Sequence, residues 1–138
     1  MKEHYDAIMA LLDPLPWDVH LAQAPDGTPP AFIVLWGASS PTGGESDRLD
    51  GARSDVSARV GVTCTAGTPV GVMAMQAQVR ESLCPTGKPA RLQVPGYSAW
   101  LSPFDSRDVQ IDRDAVLTGA ATYPAFGVDL YWLNSTPA

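Results

Sequence analysis

From Glu3 to Asp13 the apolar residues Tyr5, Ile8, Met9 and Leu12 return every three or four positions, the spacing of one helical face. Asp13-Pro14-Leu15-Pro16 ends that helix, because proline restricts the residue before it and brings no backbone donor. The period then changes to two. Trp17 to Leu21 alternates apolar and polar residues, which predicts a strand packed on one side. After a turn rich in proline and glycine at Pro25 to Pro30, Ala31 to Trp36 is continuously apolar, predicting a strand covered on both faces and central to its sheet.

Residues 37–54 contain four glycines and one bulky aliphatic residue, Leu49, and are predicted to be a long, flexible surface loop. Val60, Val62 and Cys64 then alternate with Arg59, Gly61 and Thr63 as a third strand. Gly67-Thr68-Pro69 opens a second helix, with Thr68 as N-cap and Pro69 at the first helical position, where a missing donor does no harm. Val72, Met75, Val79 and Leu83 form its buried stripe, and Cys84-Pro85-Thr86-Gly87 stops it. Short strands are predicted at Arg91 to Val94, Tyr97 to Leu101, Val109 to Asp112 and Phe126 to Leu133, the last with large groups on both faces. The expected fold class is α+β. A single domain over residues 1–138 should hold a mainly antiparallel β-sheet with two helices packed on one face.

Charge narrows the partners. Nine Lys and Arg against fifteen Asp and Glu leave a net charge of −6, the wrong sign for gripping phosphates by counterion release. No segment approaches the roughly 20 apolar residues that span a bilayer, and Met1 to Asp6 turns acidic too early for a secretory leader, so no membrane partner and no export are expected. Cys64 and Cys84 are too few for a zinc cluster and are expected to be small buried hydrophobes.

Candidate chemistry is sparse. Cys84 to Pro89 shares Gly-Lys with a phosphate loop, yet Pro89 stands where the magnesium-binding hydroxyl belongs. Asp47, Asp50, Gly51 and Asp55 miss the ligand spacing of a calcium loop, and Gly37-Ala38-Ser39-Ser40-Pro41 lacks the second glycine of a nucleophile elbow. Asp105, Asp108, Asp112 and Asp114 are a denser acidic cluster, interleaved with Arg107 and Arg113, and fit an ion-paired surface better than a cage. Neither His4 nor His20 has a catalytic partner by spacing. No enzyme activity, metal or cofactor is expected. Trp17 and Trp36 are assigned to the core, whereas Trp100, in a short strand after Val94-Pro95-Gly96, is assigned to a sheet edge that invites pairing with another subunit.

The opening helix Asp6 to Leu12, the Val60-Gly61-Val62-Thr63 strand leading through Ala66-Gly67-Thr68-Pro69 into a helix, and the closing Phe126-Gly127-Val128-Asp129-Leu130-Tyr131 together resemble tail terminator proteins of long-tailed bacteriophages, particularly those of actinobacteria. The resemblance spans nearly the whole chain and rests on order, size and phrasing. It implies a structural, non-enzymatic subunit, assembled in the host cytoplasm and carried in the virion, that forms a hexameric ring on the tail tube. Such a ring ends tube polymerisation and offers a head-joining surface, so the implied partners are the chain itself, the major tail tube protein and a head connector or stopper protein. DNA would pass through without specific binding, which suits an acidic chain. Tyr97 and Trp100, with Leu49, Arg48, Arg53 and Asp55 in or beside the loop, are the candidate subunit or partner contacts. The loop is expected to order on contact with the tube or connector. Two alternatives stand beside this reading: another neck protein, such as a head-completion or stopper protein, and a small enzyme built on Asp105, Asp108, Asp112 and His20.

Overall fold

The computed structural model describes residues 2–25, 31–37, 56–113 and 123–137. The first periodic segment is helix α1, Lys2–Leu12, which buries Tyr5, Ile8 and Leu12, together with His4. The second is α2, Pro69–Leu83, where the Thr68 side-chain oxygen accepts from the Gly71 N–H at 3.1 Å. Its buried residues are the predicted Val72, Met75, Val79 and Leu83, with Gln76 added.

Seven strands form one sheet: β1 Asp18–Leu21, β2 Phe32–Gly37, β3 Val56–Ala66, β4 Ala90–Leu92, β5 Tyr97–Ser106, β6 Gln110–Ile111 and β7 Ala125–Pro137. Their order is β1-β2-β3-β7-β5-β4, and β6 pairs with β7 in line with β5. Only β1 and β2 are parallel; every other pairing is antiparallel, as the α+β reading requires. The two longest strands, β3 and β7, lie at the middle and run in register from Val56 opposite Ser135 to Ala66 opposite Ala125.

One face of this sheet carries both helices. From the strands it contributes Ile33 and Leu35, then Ala58, Val60, Val62 and Cys64, then Ala99, Leu101, Tyr131 and Leu133, all nearly inaccessible, packed with Ile8, Leu12, Val72, Met75 and Val79. Cys64 and Cys84 are buried free thiols within it. The β4–β5 turn is set by Val94-Pro95-Gly96-Tyr97: Tyr97 N–H donates to the Val94 carbonyl at 3.1 Å, and Gly96 takes φ 81°. A side chain at that third turn position would be strained, so glycine follows the proline.

Three expectations change. β2 is not the central strand, and it alternates: Ile33 and Leu35 are buried while Phe32 and Val34 are half-covered, since helices lie on one face only. Tyr97 to Leu101 is not an edge. β4 pairs with Ala99 to Leu101 on one side and β7 covers the other, and the strand runs on to Ser106 through an irregularity between Pro103 and Asp105. Trp36 is not a core residue, for it lies on the face opposite the helices with about a third of its surface exposed. The predicted loop, apart from Gly37 at the end of β2, lies outside the described residues.

Candidate functional site

Sheet register places the residues of the helix-free face in rows. One row runs Val34, Thr63, Val128; the next contains Trp36 over Gly61; a third holds Arg59, Trp132 and Ser102; a fourth Ser57, Asn134, Trp100 and Arg91. Antiparallel sheets with one solvated face usually alternate to polar residues there. This face instead holds three tryptophans and Phe104, and exposure reaches 46% at Trp100 and 53% at Phe104.

Trp36, Phe104 and Trp132 are held by neighbouring groups. Trp36 lies across its neighbour strand where Gly61 has no side chain, since a Cβ there would stand 2.2 Å from the indole. Its Nε1–H donates to Thr63 Oγ1 at 2.9 Å. Phe104 packs on Trp132 with ring centroids 5.9 Å apart, and the Arg59 guanidinium sits 5.1 Å from the Phe104 centroid. A guanidinium over an aromatic face is attracted by the ring quadrupole and keeps its charge available to a partner. The result is an aromatic plate that carries the Arg59 charge.

Of the residues singled out in the sequence, Trp100 belongs to this plate. Tyr97 points to the other face, where its ring meets His4 edge-on at 4.7 Å and joins the periphery of the core. Arg48, Leu49, Arg53 and Asp55 lie outside the described residues. The acidic cluster is not assembled with a base. Asp105 is the penultimate residue of β5 and Asp112 follows β6, whereas His20 is on β1, four strand steps away across the sheet, or about 19 Å at normal strand spacing. Asp114 lies outside the described residues, and among those described no group of three potential ligands is close enough to hold a metal.

A polar constellation that local spacing did not reveal lies beneath the sheet. Arg80 of α2 donates through Nε to Asp129 Oδ2 and through Nη2 to Asp129 Oδ1, both at 2.9 Å. Ser106 Oγ donates to Asp129 Oδ1 at 2.6 Å and accepts from Arg80 Nη2 at 2.9 Å. Asp129 is only 4% exposed, so the pair neutralises a buried carboxylate rather than preparing a base. A cavity of about 300 Å³ adjoins it, lined by Arg80, Cys84, Pro103, Asp105 and Tyr131 among others. Burial pushes the Cys64 thiol up to about 12 and the Cys84 thiol up to about 11, and raises the Tyr131 phenol, so all three are protonated at neutral pH. The signal missed in the sequence is Asp129 itself, a charge inside an apolar strand, whose partner is 49 residues away.

No family model matches the chain, and no curated protein matches it. Among the described residues no helix is long and apolar enough to cross a membrane.

Proposed function

We propose that the chain is a structural subunit of a bacteriophage tail, a tail terminator that caps the tube as a ring, ends its polymerisation and presents the surface to which the head is joined. The observation that carries this reading is the helix-free sheet face. Its aromatic plate of Trp36, Trp100, Phe104 and Trp132 with Arg59 has the composition of a protein contact, aromatic and arginine anchors on one exposed face. The resemblance of the opening helix, the β3-to-α2 passage and the closing strand supplies the kind of assembly. In this reading the partners are further copies of the chain, the major tail tube protein and a head connector or stopper, and the protein resides in the virion at the head–tail interface.

Sedimentation of the purified chain with electron micrographs of the same sample tests the reading. Rings with a central hole are the expected result. A chain that remains monomeric both alone and with purified tail tubes would overturn it, and a chain retained on DNA-filled heads but not on tubes would transfer it to the stopper class.

A further inference from the structure

Helix α2 has an unusual surface. No charged residue occurs from Pro69 to Val79, although only one side of the helix is buried in its own core. The outward side presents Val70 at 75% exposure and Met73 at 56%, followed by exposed Ala74 and Ala77. Positions 70, 73, 74 and 77 share one helical face, and Glu81 lies one turn further on the same line. A helix apolar on both sides is normally covered on both.

We infer that this outer face of α2 docks on the helix-free sheet face of a second copy of the chain, so that each subunit uses two different surfaces. The two faces match in kind: a sheet apolar on both sides takes a helical layer on each, and among the described residues helices cover only one face. They match in size. The stripe from Val70 to Glu81 is about 16 Å long at 1.5 Å per residue. The three strand steps from Trp36 on β2 to Trp100 on β5 measure about 14 Å. Charge agrees as well, because the plate carries Arg59 and Arg91 whereas the α2 stripe ends at Glu81. Edge-to-edge pairing is less suited, since the terminal strands β1 and β4 are only 4 and 3 residues long.

A contact between unlike faces repeats head to tail and closes into a ring when the rotation permits. The inference thus specifies the subunit contact of the ring proposed above and rests on that reading only for the number of copies. Met73→Glu and Phe104→Glu test it, each changing a side chain more than half exposed, with circular dichroism to verify that both variants are folded. Sedimentation velocity of the full chain should show the native protein assembled and each variant monomeric, its self-association weakened about 30-fold or more. An equimolar mixture of the two variants should then form a discrete dimer, because each retains the face the other has lost. Native protein that is monomeric at every concentration, assembly that survives either substitution, or a mixture that stays monomeric would overturn the inference. Rings that persist in Met73→Glu would sink the contact while leaving the ring reading intact. Conversely, assembly through these faces into something that never caps a tail tube would leave the contact standing and remove the functional reading.

Discussion

Replacing Arg80 by methionine should destabilise the protein far more than replacing its partner Asp129 by asparagine. The side chain of Asp129 is 5% exposed and that of Arg80 is 49% exposed, so the two ends of the ion pair lose different things. In Arg80→Met the buried carboxylate keeps only the Ser106 hydroxyl at 2.6 Å. Stranding a buried charge costs roughly 3–5 kcal/mol. Half of the Arg80 side chain already faces water, and the adjoining cavity of about 300 Å³ admits solvent once the arginine is gone, so the low end, ~3 kcal/mol, applies. In Asp129→Asn the arginine re-hydrates and the amide oxygen still accepts a hydrogen bond, limiting the loss to about 1 kcal/mol. Urea unfolding followed by circular dichroism at pH 7 measures both. At about 4 °C per kcal/mol for a domain of this size, the melting temperatures should fall by about 12 °C and about 4 °C. Equal losses in the two variants, or losses below about 0.5 kcal/mol in both, would refute this reasoning.

Three further outcomes are expected. Gly61→Ala forces the indole of Trp36 off β3 and breaks its bond to Thr63 at 2.9 Å; with the strand's gain from losing a glycine set against that, thermal denaturation should register a net loss of about 1–2 kcal/mol together with a shifted tryptophan emission. Thr68→Ala removes the α2 N-cap and should cost about 1 kcal/mol in the same assay, whereas Thr68→Ser should cost much less. His4 is buried with its pKa lowered by desolvation, partly opposed by Glu3, so its neutral form is the one that stabilises the fold; stability should be full above about pH 6.5 and decline as pH falls below it, and His4→Asn should flatten that part of the urea-midpoint profile.

Helices and caps were the most legible features of the chain because their signals are local. The stripe Val72, Met75, Val79, Leu83 and the Thr68-Pro69 start each lie within a few turns, and the observed α2 contains them all. Strands were legible in number and place, less so in extent and facing. β5 extends past Leu101 because Pro103 and Asp105 sit at an irregularity and an open end, where the missing donor and the charge are tolerated. In β7 the large residues Phe126, Val128 and Trp132 face away from the helices, and the core side is Ala125, Gly127, Asp129, Tyr131, Leu133 and Ser135. That side is decided by distant groups: Gln76 lies over Gly127, leaving less than 3 Å for a side chain, Arg80 neutralises Asp129, and His4 Nε2 lies 2.9 Å from Ser135 Oγ. Alternation identifies two faces but not which of them the helices cover. The same ambiguity places Trp36 in the core when it belongs to the exposed plate, whereas the edge reading of Trp100 fails for another reason, the pairing of the short β4 with Ala99 to Leu101.

The central claim is that this chain caps a growing tube. Adding it in increasing amounts to purified tail tube protein during polymerisation, and measuring tube lengths by electron microscopy, tests that directly. Tubes should become shorter as the chain is added and carry a ring at one end, and Met73→Glu and Phe104→Glu should fail to shorten them. Tubes of unchanged length with bare ends at saturating amounts of the native chain would contradict the account.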